Sequence, residues 1–139
     1  MGEILEFTNI PIDIVCREEF EVSKEHCAKT LGSGGINVLS TPSMILFMEH
    51  TAWKCVEEYL PNDYTTVGTH VCISHLKPAP IGAKILVEAK LTKIEGRKLV
   101  FEVSAHWNDI KIGEGIHERY IINKPKFLEK VKRLLEKKV

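Results

Sequence analysis

The stretch STPSMILFMEHTAWKCVEEYL, residues 40–60, decides how the rest of the chain is read. Thr41-Pro42 predicts a helix start, with the threonine hydroxyl as N-cap and a proline whose φ is already set at the first helical position. Met44, Ile45, Leu46, Phe47 and Met48 then run without a polar break. A helix with no polar stripe is expected to be enclosed on all sides. Glu49 ends that run, and a carboxylate there is costly to bury unless it has a partner or a task. The second half turns amphipathic, with Ala52, Trp53, Val56, Tyr59 and Leu60 against Lys54, Glu57 and Glu58. Pro61-Asn62-Asp63 closes the element.

Outward from this helix, strands dominate. Residues 84–94 alternate, with Ile85, Val87, Ala89 and Leu91 inward, and residues 99–107 do the same through Leu99, Phe101, Val103, Ala105 and Trp107. Glu95-Gly96-Arg97 and Asn108-Asp109 are short turns, so these strands pair as an antiparallel meander. The last strand, 110–123, is expected to bend near Gly113 and Gly115. In residues 66–76, strict alternation groups Val67, Val71, Ile73 and His75 on one face and Gly68, His70 and Cys72 on the other. Upstream, residues 3–9 suggest an edge strand, residues 18–23 alternate, residues 24–31 fit a short helix or loop, and residues 32–35 (GSGG) form a linker. Residues 125–138 predict an amphipathic surface helix. A sheet of four or five strands must wrap one long apolar helix to enclose it, which is the α+β hotdog fold, here expected as a single domain over residues 1–139.

The chain of 139 residues has 19 acidic and 19 basic side chains, hence no net charge to draw it to nucleic acid or an anionic membrane. No apolar run approaches the roughly 18 residues of a membrane span. With no signal-peptide pattern, and with Cys16, Cys27, Cys55 and Cys72 scattered, the reading is a cytoplasmic protein with reduced thiols. His70, Cys72 and His75 invite a metal reading, but His75 lies on the other strand face and no second cluster completes a ligand set, so neither metal nor cofactor is expected.

Three polar groups fall at positions where apolar or terminal residues are expected. These are Thr41 at the helix head, Glu49 about 80° round the axis and two turns on, and His75 at the end of an apolar strand face. A hydroxyl, a carboxylate and an imidazole are the parts for acyl transfer by a nucleophile or an activated water, and a helix N-terminus offers N–H groups to an oxyanion. A carboxylate in an apolar setting would also be tuned toward proton exchange near neutral pH. Spacing alone favours a cap for Thr41 and a core imidazole for His75, and it leaves Glu49 divided between an ion pair and a catalytic role. His106 and His117 are read as sheet-surface residues. Glu118 and Arg119 point to opposite faces, so one of them is buried or functional. Basic residues near turns, among them Arg97, Lys98, Lys124 and Lys126, are a candidate docking rim for a phosphate-bearing ligand.

Four motifs in order carry a resemblance. TPxxxxxMEHxA from Thr41, VGTHVCISH at 67–75, EGRKLVFEVSAH at 95–106 and IGEGIHER at 112–119 resemble the fluoroacetyl-CoA thioesterase family of single-hotdog proteins. The resemblance implies hydrolysis of short acyl-CoA thioesters by a homodimer with active sites at the dimer interface. It implies Thr41, Glu49 and His75 as catalytic residues, and Gly68 and Arg119 as substrate contacts. Residues 21–46 contain no Phe, Tyr or Trp where the fluoro-selective member has an aromatic lid. A general short- or medium-chain acyl-CoA hydrolase is therefore expected, not strict fluoroacetyl selectivity. The alternatives are a hotdog hydratase acting on an enoyl or 3-hydroxyacyl thioester, or a non-catalytic acyl-CoA-binding module.

Overall fold

The computed structural model describes residue 7 and residues 9–137. Its elements are β1 (Val15–Glu21), a 3₁₀ turn (Lys24–His26), the short helix α1 (Ala28–Leu31), the central helix α2 (Thr41–Glu57), β2 (Tyr64–His75), β3 (Lys84–Glu95), β4 (Lys98–Trp107), β5 (Ile110–Asn123) and the C-terminal helix α3 (Lys124–Glu136). The strands form one antiparallel sheet in the order β1-β3-β4-β5-β2, with α2 packed on one face. This is the expected hotdog architecture. The edge strand expected over residues 3–9 lies almost wholly outside the described residues; Phe7 itself is in a turn and buried.

The alternation in β3 and β4 produces the core directly. Ile85, Val87, Ala89, Leu91, Leu99, Phe101, Val103 and Ala105 are buried against Met44, Phe47, Met48, Ala52 and Val56 of α2. Gly113 lies under the helix, where a Cβ would strike the Met44 thioether, so its missing side chain lets α2 approach β5 closely. At the far edge, Phe20 of β1 stacks on Phe47 at 4.4 Å. Glu18 there accepts from Thr51 (3.0 Å) and pairs with His50 (2.8 Å).

Four expectations need correction. First, α2 is not enclosed all round: Leu46 is 55% exposed, because the sheet covers only one side of a cylinder. Second, Ser40, not Thr41, is the N-cap; its hydroxyl accepts from the Ser43 N–H at 3.1 Å, and Thr41 begins the helix. Third, β2 does not alternate throughout. Gly68 pairs with Arg119 but His70 pairs with Glu118, so Thr69 is an extra, bulged residue. The bulge shifts the phase, and Gly68 faces α2 on the same side as Ile73 and His75. Fourth, the cysteines are not all reduced thiols. Cys16 of β1 and Cys55 of α2 form a disulfide, leaving Cys27 and Cys72 free. The fold brings them together across two elements, which no local spacing such as C-x-x-C signals.

The disulfide closes a loop of 39 residues, worth about 4 kcal/mol on a chain-entropy basis. Thermal melts with and without reductant should therefore differ by roughly 10 °C in Tm. The Cys16→Ser variant should melt at the lower temperature in both conditions. Coincident melts for oxidised and reduced protein would show that the bridge contributes nothing to stability.

Candidate active site

The flank of α2 that faces β2 carries Thr41, Ile45, Glu49 and Trp53, a row spaced by four residues and so by about one turn. Three of them meet β2. Thr41 Oγ1 lies 2.8 Å from His75 Nδ1. Glu49 reaches Gly68, where a Cβ would stand 3.0 Å from its Oε2. Trp53 Nε1 donates to Thr65 Oγ1 at 3.3 Å, and Thr65 in turn donates to Glu57 at 2.9 Å. Helix and strand therefore run antiparallel, with the short threonine at one end and the indole at the other.

The Thr41–His75 pair opens to solvent in a hollow of about 280 Å³ lined also by Leu39, Leu76 and Pro78. Because Ser40 takes the capping role, the Thr41 hydroxyl is not needed to hold the helix. Burial holds the His75 imidazole below the ordinary histidine pKa, with the Lys77 carbonyl acting weakly the other way. The ring is thus neutral at neutral pH. Its Nε2 is buried without a hydrogen-bond partner among the described residues. The helix head offers few spare donors, since Pro42 has no N–H and that of Ser43 goes to Ser40.

The second cluster lies further along β2 and is built on Arg119. Arg119 is 7% exposed. Nε donates to Thr66 Oγ1 (2.7 Å), Nη2 to the Thr66 carbonyl (2.9 Å) and Nη1 to His117 Nε2 (3.1 Å). These bonds fix the state of His117. Its Nδ1 meets the His70 carbonyl at 2.9 Å, which can only accept, so Nδ1 carries the proton. Arg119 can only donate, so Nε2 is a lone pair. Burial, then the positive charge of Arg119, keep His117 below the usual histidine pKa and neutral. Burial likewise lowers the pKa of Arg119, and the carboxylates of Glu49 and Glu57 offset part of that shift.

The structure therefore brings Thr41 to His75 and gathers Glu49, Gly68 and Arg119, but it does not join the two groups within one chain. Eight helical residues separate Thr41 from Glu49, roughly 12 Å along the axis. Nor is Glu49 in the apolar setting its neighbours suggested; it is half-buried beside two polar side chains. His117 and Thr66 were missed as members of the site. His117, read as a surface residue, is 1% exposed. It lies two residues from Arg119 on one strand, hence on the same face, and that signal was available in the sequence.

A model of the fluoroacetyl-CoA-specific thioesterase family, FlK, matches residues 22–125. The fluoroacetyl-CoA thioesterase of Streptantibioticus cattleyicolor is 36% identical over 96 residues, 69% of each chain. The crystal structure of a point variant of the fluoroacetyl-CoA-specific thioesterase FlK with fluoroacetate and CoA superposes at a TM-score of 0.80, with 29% identity over 84% of this chain and 98% of that one. A thioesterase superfamily member from Thermus thermophilus superposes at 0.86, with 27% identity over 94% of this chain and 96% of that one. The family match runs from the end of β1 to the start of α3 and includes every residue of both clusters, so this chain belongs to the fluoroacetyl-CoA-specific thioesterase family.

Proposed function

We propose that the protein hydrolyses short- or medium-chain acyl-CoA thioesters to free acid and CoA, in a site shared between two chains. The observation that carries this reading is the Thr41–His75 hydrogen bond of 2.8 Å, made by two groups the fold does not require for capping or for the core. Membership of a thioesterase family supports the reaction. No helix among the described residues is long and apolar enough to cross a membrane. A cytoplasmic location follows from the acyl-CoA substrate, an intracellular carrier, and draws no support from the cysteines.

The separation of the two clusters supports a homodimer. β2 is an edge strand. If two β2 strands pair antiparallel about a two-fold axis between Val71 and Cys72, Gly68 of one chain stands opposite the partner's His75. Glu49, Gly68 and Arg119 of one subunit then face Thr41 and His75 of the other. In this arrangement Arg119 and the vacancy at Gly68 position the thioester. The Glu49 carboxylate attacks the carbonyl or takes the proton of an attacking water. Neutral His75, with Thr41, relays the water's proton to the departing CoA thiolate and ends the cycle neutral again.

The acyl end is expected to be permissive. Residues 32–37 are exposed and contain no aromatic side chain to close over a two-carbon acyl group. Each added CH₂ should improve kcat/KM by up to about fourfold, from about 0.8 kcal/mol per buried methylene, until the hollow is filled. A panel of acetyl-, butyryl-, hexanoyl- and fluoroacetyl-CoA measures this. A preference for fluoroacetyl- over acetyl-CoA of many orders of magnitude would refute it.

Glu49→Gln and His75→Ala should each reduce kcat by about 10²- to 10⁴-fold as homodimers. Mixed and allowed to exchange, the two inactive proteins should recover about a quarter of the parental activity, because half the dimers are hybrids and each hybrid holds one intact site. No recovery despite exchange would place the whole site within one chain. If His75 must be neutral on the free enzyme, kcat/KM should rise with pH through an inflection below the ordinary histidine value of 6.5 and level off above it. An inflection at or above that value would exclude the buried imidazole as its source.

A further inference from the structure

A hollow outside both clusters has a composition that neither the fold nor the reaction centre requires. It lies between the outer face of β5 and the first turns of α3, has a volume of about 460 Å³, and is lined by Arg97, Tyr120, Phe127, Lys126 and Lys130 among others. Three of its lining side chains are cations, and none of its described lining residues is acidic. This is local segregation in a chain whose formal charge is zero. Another hollow on the sheet, of about 540 Å³, has a different character, with Glu88, Glu102 and Glu114 intermixed with Lys90 and Lys111. Lys126 and Lys130 make no ion pair among the described residues, whereas Lys111 pairs with Glu114 and Lys98 with Glu118. Tyr120 and Phe127 are 44% and 36% exposed and border the same space. The Arg97 guanidinium is held over the rings of Phe7 and Tyr64, at 5.6 and 5.9 Å from their centroids.

Aromatic faces beside a group of cations suit a planar base carrying phosphates. We propose that this hollow binds the phosphorylated adenosine end of the CoA carrier. The proposal rests on the acyl-CoA reading above, because that substrate brings an adenine and several phosphate charges which neither catalytic cluster accommodates. The position is suitable. Tyr120 follows Arg119 directly in β5, one residue turned outward and the other inward. From Arg119 to the end of β5 at Asn123 is roughly 13 Å of strand. The flexible pantetheine arm can then pass round the end of the sheet while the thioester sits at Gly68 and Arg119. Asn123 caps α3 by accepting from the Lys126 N–H at 3.1 Å, which sets the helix so that Lys126, Phe127 and Lys130 face the hollow.

The test compares substrates with and without the nucleotide. For the Lys126→Ala/Lys130→Ala double variant, KM for butyryl-CoA should rise about tenfold with kcat unchanged, while KM for butyryl-pantetheine, which lacks the nucleotide, should equal that of the parent. Lys132→Ala, on the other side of α3, should leave KM for butyryl-CoA unchanged. Calorimetric titration with adenosine 3′,5′-bisphosphate should show binding to the parent protein that the double variant loses. Equal effects on both thioesters, or bisphosphate binding unaltered by the double variant, would overturn the proposal. So would selective loss of activity on an acyl carrier protein thioester with butyryl-CoA untouched, which would make α3 a protein-docking surface. Absence of turnover with either small thioester would refute the thioesterase reading, and the titration would still decide the site.

Discussion

The helix α2 lies against the sheet with one flank aligned to the edge strand β2, and the geometry of both polar clusters derives from that alignment. A row of side chains four apart on a helix presents one group per turn to whatever runs beside it. Here the row is Thr41, Ile45, Glu49 and Trp53, and β2 answers with His75, Gly68 and Thr65. The alignment depends on Ser40. Had Thr41 been the cap, its oxygen would have been turned to the Ser43 N–H and lost to His75. Two adjacent hydroxyls divide the tasks, and the one inside the fold does the structural one.

The second cluster concerns a buried cation. Taking a guanidinium out of water costs several kcal/mol unless its donors are satisfied. Arg119 is compensated by the hydroxyl and carbonyl of Thr66 and the lone pair of His117, all neutral acceptors. No carboxylate is bonded to it among the described residues. Glu49 and Glu57 act on it through their charge, not through contact. A cation satisfied by neutral groups keeps its positive field for something else, whereas a tight carboxylate partner would have cancelled it. Gly68 then leaves the space between Glu49 Oε2 and Arg119 Nη1 without a side chain.

What the sequence revealed and what it hid follow from how local each cause is. The inward residues of β3 and β4 were legible because alternation is a property of the strand itself, and all of them are buried except Trp107 at the strand end, which is half-buried. The pairing of Glu118 and Arg119 on opposite faces was legible for the same reason. The bulge at Thr69 was not, since an extra residue is defined by the partner strand and leaves no mark on its own, so Gly68 was assigned to the wrong face. The disulfide needed the three-dimensional approach of β1 to α2. The exposed side of α2 was misjudged because an apolar run states what could be buried and says nothing of how much sheet is available. Of the site residues, Thr41 and His75 were singled out as polar exceptions in apolar patterns, while Gly68 came only from the family resemblance.

The two edges of the sheet differ in a way that bears on the proposal of a site shared between two chains. An exposed edge strand invites pairing, and proteins guard against it with charge, proline or short length. β1 is guarded: Arg17, Glu18, Glu19 and Glu21 account for most of its seven residues. β2 is twelve residues long, contains no Lys, Arg, Asp, Glu or Pro, and leaves Val71 43% exposed. Leu76, just past its end, is 47% exposed. Protecting one edge and leaving the longer one open is expected of a chain that pairs through the second. The same strand carries Gly68 near one end and His75 at the other, on the face toward α2. A single β2 cannot bring its own ends together, but an antiparallel copy beside it can, and so the proposed pairing would give the undefended edge and the divided clusters one physical explanation.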